Sequence, residues 1–291
     1  MSSIKNLEDR SKEKNRVLAG TLYLVATPIG NLADLSERAI KVLSEVDFIA
    51  AEDTRNSMRL LTHLGISKPM VSYFEHNKRE RGEQIAARLE NGESCALITD
   101  AGTPAISDPG EDMVALCAER GIPMTSVPGP VASIVALTLS GLPTGRFTFE
   151  GFLSTNKPSR KEHLDELRDE TRTMIFYEAP HKLKTTLKDM QKVFGDREIA
   201  IVKELTKIHE TVMRTTLGGA CEYFDREDPR GEYVLILAGA EKQKEKQPVT
   251  LEQAVLIAKD LVSKGVSVNE AAKAVAADTG IKKSLIYKEL L

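Results

Sequence analysis

TLYLVATPIGNLADLS, residues Thr21 to Ser36, decides the fold. Leu22 to Ala26 form a short apolar run of strand character, and Pro28, Gly30 and Asn31 then break it. Leu35 opens a helical face that Ala39, Ile40, Leu43 and Val46 continue. Strand, tight loop and helix in that order are the first half of a β-α-β unit.

Reading outward, the same rhythm recurs. FIAA (Phe48–Ala51) precedes a helix through Met58–Leu64, and MVSY (Met70–Tyr73) precedes one across Gln84–Leu89. CALIT (Cys95–Thr99), a helix over Met113–Arg120 and MTSV (Met124–Val127) complete the set. Such alternation predicts a parallel sheet with crossover helices. GLPTGR, Gly141–Arg146, breaks the periodicity. A second α/β unit follows, with FTFEGFL, TMIFY (Thr173–Tyr177), a helix over Lys182–Phe194, IAIVKEL (Ile199–Leu205) and YVLILA (Tyr233–Ala238). Ser159 followed by Glu162 reads as a capping box after the Asn156–Pro158 loop. Beyond the polar linker EKQKEKQ, Thr250 with Gln253 and Ser267 with Glu270 mark two further helix starts. NEAAKAVAADTGIKKSLIYKEL resembles a helix-turn-helix, with Gly280 at the turn and Leu285 and Ile286 burying the second helix. The expected division is a disordered tail over 1–19, α/β domains over 20–141 and 142–240, and a helical domain over 248–291.

The totals narrow the class. With 291 residues, 41% hydrophobic and 29% charged, the composition is globular. The longest apolar stretch, Val131–Leu139, is too short to span a bilayer, which takes about 18 residues. MSSIKNLEDRSKEKNR has no signal-peptide core, so a cytoplasmic protein without membrane partners is expected. Cys95, Cys117 and Cys221 are far apart and read as buried free thiols. His209-Glu210 has no third ligand at suitable spacing, and no metal site is expected. A net charge of −3 leaves any RNA-binding surface to local patches.

G-x-G-x-x-G, Walker A, H-E-x-x-H and G-x-S-x-G are all missing, which removes the usual support for dehydrogenase, P-loop, zinc-protease and α/β-hydrolase readings. What stands out instead are Pro/Gly-rich loops directly after strands: TPIGNLADLS, AEDTRNS, DAGTPAISDPG and PGPVAS. Parallel α/β sheets place ligands at those strand ends. Backbone groups can approach a ligand closely there.

Those loops, with FEGFL, YEAPHKL, KELTKIHE and GEYVLIL, resemble the tetrapyrrole-methylase superfamily. Within it they are most similar to the branch that methylates a cytidine 2′-hydroxyl of small-subunit (16S) ribosomal RNA. The resemblance runs from about Gly20 to Ala238, and the helical tail also fits. It implies two α/β domains with a cofactor cleft between them, a small C-terminal helical domain, S-adenosylmethionine as cofactor and a homodimer. The partner it implies is small-subunit ribosomal RNA, free or in the assembled subunit. Carried over by motif, the cofactor contacts are Pro28, Asp100, Ala101, Gly102, Thr103, Pro104, Ile106, Val131, Ala132, Tyr177, Glu178 and Leu205. Thr103 stands where many tetrapyrrole enzymes have aspartate, which favours an RNA acceptor over a porphyrin. Two other readings remain: the same chemistry on a tetrapyrrole or protein acceptor, and a ribosome-assembly factor that binds RNA without catalysis.

A ribose hydroxyl is a poor nucleophile unless its proton is accepted as the new bond forms. Glu52 and Asp53, beside Arg55, are the first candidates, at a strand end facing the expected cleft. The alternative is that Asp53 caps the following helix and Arg55 pairs with it. His76, Asn77, Lys78 and Arg79 follow the third strand as a basic loop that either meets RNA or is a solvated turn. Lys157 and Arg160, with Lys161 and His163, form a second basic cluster on the loop entering the second domain, and His181 follows YEAP. Lys282 and Lys283 in the tail face either phosphate or solvent.

Overall fold

A computed structural model of the chain describes residues 15–241 and 249–291. The tail over 1–14 and nearly all of the polar linker lie outside the described residues. Two compact units are present, 1–240 and 241–291.

The first half of the larger unit alternates β1 (Leu22–Val25), α1 (Glu37–Glu45), β2 (Phe48–Ala51), α2 (Thr54–His63), β3 (Met70–Ser72), α3 (Lys78–Glu90), β4 (Cys95–Ile98), α4 (Glu111–Arg120) and β5 (Met124–Val127). The strands form one parallel sheet in the order β3-β2-β4-β1-β5. Side chains alternate between two cores. Tyr23, Val25, Ile49, Ala96 and Ile98 face one of them; Leu22, Phe48, Cys95 and Leu97 face the other. Burial on both faces is why these strands read as unbroken apolar runs. All three cysteines are buried free thiols.

The Val131–Leu139 run, recognised in the sequence only as apolar, is a helix, α5 (Ala132–Ser140). Its Ala136 and Leu137 pack on Ile175, Ala200, Val234 and Ile236 of the second sheet. That half continues with β6 (Phe147–Phe152), α6 (Lys157–Glu166), β7 (Thr173–Glu178), α7 (Pro180–Phe194), β8 (Glu198–Lys203), β9 (Thr211–Thr216), α8 (Leu217–Arg226) and β10 (Tyr233–Leu237). The sheet order is β6-β7-β10-β8-β9. Only β6 and β7 run parallel; the other neighbours are antiparallel.

Two local expectations change. Asn156, not Ser159, caps α6: its side chain accepts from the Ser159 backbone N–H at 3.2 Å. Pro158 sits in the first turn, where its missing N–H costs nothing. The basic residues Lys157, Arg160, Lys161 and His163 therefore belong to the helix itself rather than to an entry loop.

The smaller unit holds α9 (Leu251–Ser263), α10 (Val268–Thr279) and α11 (Lys283–Lys288). Thr250 and Gln253 form the full reciprocal capping box, and Gly280 closes α10 in the left-handed region at φ 72°. Ala254, Ala258, Ala272, Val275 and Ile286 make its core. Leu285, expected inside, is 47% exposed, because α11 turns only one narrow face to that core. Among the described residues no helix is long and apolar enough to cross a membrane.

Candidate cofactor cleft and the acidic cavity beside it

The loops after β1, β4 and β5 are tied into one floor. Thr27 and Gly102 exchange backbone hydrogen bonds of 2.9 and 3.0 Å. The Thr27 hydroxyl donates to the Thr99 carbonyl at 3.0 Å, and that of Thr103 to the Pro130 carbonyl at 3.0 Å. Gly129 passes so close to Ala26 that a Cβ there would stand 2.6 Å from the Ala26 Cβ. Ala105 and Ser107, in the loop after β4, hold positive φ angles of 67° and 66°. Strain of this kind persists only where surrounding structure enforces it, and it gathers at functional sites.

The second sheet supplies the opposite wall. Tyr177 accepts at its hydroxyl from the Ser133 N–H at 3.0 Å, fixing the β7 end to the start of α5. Glu178 is buried, and its carboxylate accepts from the Ala179 N–H at 2.8 Å and the Thr186 hydroxyl at 2.5 Å. Leu205 lies on a turn whose Glu204 and Thr206 also hold positive φ. Between the walls is a cavity of about 460 Å³, a volume typical of small-molecule sites.

Of the residues expected at the cofactor, Ala101, Gly102, Thr103, Ile106, Val131, Ala132, Tyr177, Glu178 and Leu205 line this cavity. Pro28, Asp100 and Pro104 do not. Ile29 takes the lining position beside Pro28, and Pro104 is buried under the loop. Missed from the sequence were Ser107, Asp108, Phe152, Ala179, Pro180, Glu232 and Tyr233. Ser107, Ala179 and Pro180 adjoin Ile106, Glu178 and His181; Asp108, Phe152, Glu232 and Tyr233 lie in the DAGTPAISDPG, FEGFL and GEYVLIL segments without adjoining a named residue. The lining is mostly apolar with backbone groups between, and it includes the carboxylates of Asp108, Glu178 and Glu232. That donor set suits a ligand with an aromatic base, a ribose and a cationic centre.

A second cavity, about 550 Å³, shares Ser107 and Asp108 with the first and is otherwise lined by residues including Glu52, Phe74, His76 and Asp112. Burial, with the charges of Glu52 and Asp100 nearby, pushes the Asp108 carboxyl up to about 6. Burial likewise raises Glu52, although the Asp100 N–H donates to its Oε2 at 3.3 Å. Asp53 behaves differently. It caps α2, accepting from the Arg55 N–H at 2.8 Å and from the Arg55 guanidinium at 3.2 and 2.9 Å. Those bonds hold its carboxyl down at about 2. Neither Asp53 nor Arg55 lines either cavity, so the capping alternative describes this pair.

The basic residues separate by partner. Asn77 locks its own turn, accepting from the Phe74 N–H at 2.8 Å and donating to the Ser72 carbonyl at 3.2 Å. Lys78 is in the first turn of α3 and is claimed by Glu75 at 2.9 Å and Asp112 at 2.7 Å. Arg160 is equally occupied, bound to Asp189 at 2.9 Å with its side chain only 12% exposed. His76, Arg79, Lys157, His181, Lys282 and Lys283 are exposed. His181 and Arg160 line a small separate hollow rather than the large cavity. Among the described residues no group of three His, Cys, Asp or Glu side chains is placed to hold a metal ion.

Residues 21–221 match the family described as Tetrapyrrole (Corrin/Porphyrin) Methylases. The chain belongs to the tetrapyrrole methylase family. This tetrapyrrole methylase family member is 44% identical over 270 residues to the ribosomal RNA small subunit methyltransferase I of Synechocystis sp., covering 92% of this chain and 96% of the relative. It is also 44% identical to the enzyme of the same name from Pseudomonas aeruginosa, covering 94% and 97%. At such identity and coverage it falls in the small-subunit methyltransferase I branch and is a methyltransferase. The family fold is reproduced in the cobalt precorrin-4 methyltransferase structure, with a TM-score of 0.57 and 16% identity over 75% of this chain and 95% of that one. Uroporphyrin-III C-methyltransferase from Thermus thermophilus, solved with S-adenosylhomocysteine, gives a TM-score of 0.53 and 20% identity over 75% and 97%.

Proposed function

We propose that this methyltransferase uses S-adenosylmethionine to methylate the 2′-hydroxyl of a cytidine in small-subunit (16S) ribosomal RNA, in the cytoplasm and as a homodimer. The observation that carries the reading is the cavity walled by loops of both sheets, beside a second cavity that shares Ser107 and Asp108 with it. Names of the relatives above support the RNA acceptor.

When bound, the cofactor supplies an electrophilic methyl group on a sulfonium. Gly102, Thr103, Val131, Ala132, Tyr177 and Leu205 are the residues that would hold it, through backbone groups and apolar contact. A floor held by its own hydrogen bonds would keep a bound ligand oriented, which favours a displacement that depends on alignment. The mostly apolar walls disfavour water beside the reacting groups, which limits hydrolysis as a competing path.

The test is incubation with methyl-tritiated cofactor and unmodified small subunits, followed by nuclease mapping. Label on a cytidine ribose is the expected result. Cofactor binding without label on RNA would remove the RNA acceptor and leave fold and cofactor standing.

A further inference from the structure

The two cavities meet at one side chain able to take a proton. Asp108 lies in the wall common to both, on a loop held by positive-φ Ala105 and Ser107. Gly110 closes that loop so tightly that a Cβ there would stand 3.0 Å from the Ala105 nitrogen. The carboxylate is therefore placed by backbone that has little freedom to move it. Glu52 reaches only the second cavity, and Glu178 has both oxygens engaged by Ala179 and Thr186.

The second cavity suits a nucleobase better than a phosphate. Phe74 and His76 stand edge to face, with centroids 6.1 Å apart, and offer an aromatic border. Glu52, Glu75, Glu111 and Asp112 line it with Asp108, while its one lysine, Lys78, is neutralised by Glu75 and Asp112. An anionic backbone is repelled from such a surface, whereas an exocyclic amine finds acceptors, as cytosine N4 does with Asp and Glu. A base removed from its stack can be received in this way.

We propose that the acceptor nucleotide enters through this second cavity, base first, and that Asp108 takes the proton of its ribose hydroxyl. This rests on the RNA reading above. The hydroxyl oxygen forms the new O–CH₃ bond as its proton passes to the Asp108 carboxylate; the methyl–sulfur bond breaks and its electron pair stays on sulfur. Asp108 is thus a catalytic residue. Phe74 belongs to the seat of the base.

The test compares Asp108→Asn and Phe74→Ala with the natural chain, measuring cofactor Kd by calorimetry and single-turnover rates on unmodified small subunits from pH 5 to 9. Asp108→Asn is expected to lower the rate roughly 100- to 1,000-fold, within the usual span for a general base. It should remove the acidic limb of the pH profile, and at saturating cofactor the rate should fall far more than cofactor affinity does, since Asp108 also lines the first cavity. The acidic limb belongs to Asp108 in a field set by Glu52, Asp100, Tyr177 and the cavity's Glu75, His76, Lys78, Glu111 and Asp112. Phe74→Ala is expected to raise KM for subunits with cofactor Kd unchanged. An Asp108→Asn rate near that of the natural chain, or a fall matched by lost cofactor affinity, would overturn the proposal. A natural chain that labels no RNA would instead defeat the reading it rests on.

Discussion

The backbone of Gly30 lies so close to Leu205 that a Cβ on Gly30 would stand 2.9 Å from the Leu205 carbonyl oxygen. Lys207 and Thr206 side-chain atoms are equally near, at 2.5 and 2.9 Å. The first loop of one sheet is thus seated against the β8–β9 turn of the other, and Leu205 is a wall of the cleft. Gly30→Ala is expected to push that turn back, costing about 1–3 kcal/mol as overpacking does, and to weaken cofactor binding. Gly65→Ala, where nothing lies within 4 Å but φ is 69°, should lose only stability. Thermal unfolding and calorimetric cofactor titration separate the two; equal cofactor affinity in both variants would show that the seat is not needed for the cleft.

Asp108 also makes stability depend on pH with a definite sign. Its folded-state value, about 6, lies above the ordinary 3.8. Between those values the folded chain holds more protons than the unfolded one, so this group's contribution falls as pH rises. Asp108→Asn should therefore match the natural chain near pH 4 and exceed it at pH 7.5. The gain expected is roughly 1 kcal/mol, reduced from the full shift because the carboxyl is partly solvated and screened. Urea unfolding at the two pH values checks it, and a difference that does not change with pH refutes it.

Strands buried on both faces were legible because β1, β2, β4 and β10 read as unbroken apolar runs, three of them followed within a few residues by Gly or Pro. β9 was not: TVMRTT is an edge strand, half exposed and rich in threonine, with no run and no clean alternation. α5 escaped because Ala132 to Ser140 is apolar around most of its circumference, so no helical face shows. Within the site, loop residues could be placed by motif, since their neighbours in sequence are their neighbours in space. Roles were harder. Whether Asp53 caps or catalyses depends on where Arg55 turns, and Asp108 owes its raised value first to burial and then to the charges of Glu52 and Asp100, all of which arise only on folding.

Arg160 and Lys161 are adjacent in sequence but answer to different forces. Arg160 donates to Asp189 through Nε at 3.0 Å and to the Ser154 carbonyl at 3.2 Å, mostly out of water. Arg160→Ala is expected to cost about 2 kcal/mol, the scale of charge-assisted hydrogen bonds, without a specific rise in KM for subunits. Lys161, 75% exposed beside Asp165, should change stability by less than about 0.5 kcal/mol when made alanine. Chemical denaturation with parallel subunit kinetics decides; a KM effect in Arg160→Ala at full stability would return this residue to the RNA surface.

Lys282 and Lys283 begin the last helix and are both exposed. If each meets a phosphate of the ribosomal RNA, each releases counterions on binding, and affinity falls with salt accordingly. The double variant Lys282→Ala/Lys283→Ala should then bind small-subunit RNA more weakly at low salt. Its slope of log affinity against log salt should be shallower by roughly 1.5, at about 0.7–0.9 per contact. Neither side chain is part of the core built on Ala254, Ala272 and Ile286, so unfolding of the tail should be unchanged. Filter binding across a potassium chloride series reads the slope directly. A weaker affinity with the original slope would mean the lysines act through the tail's fold; an unchanged affinity and slope would assign this helix to packing instead of RNA.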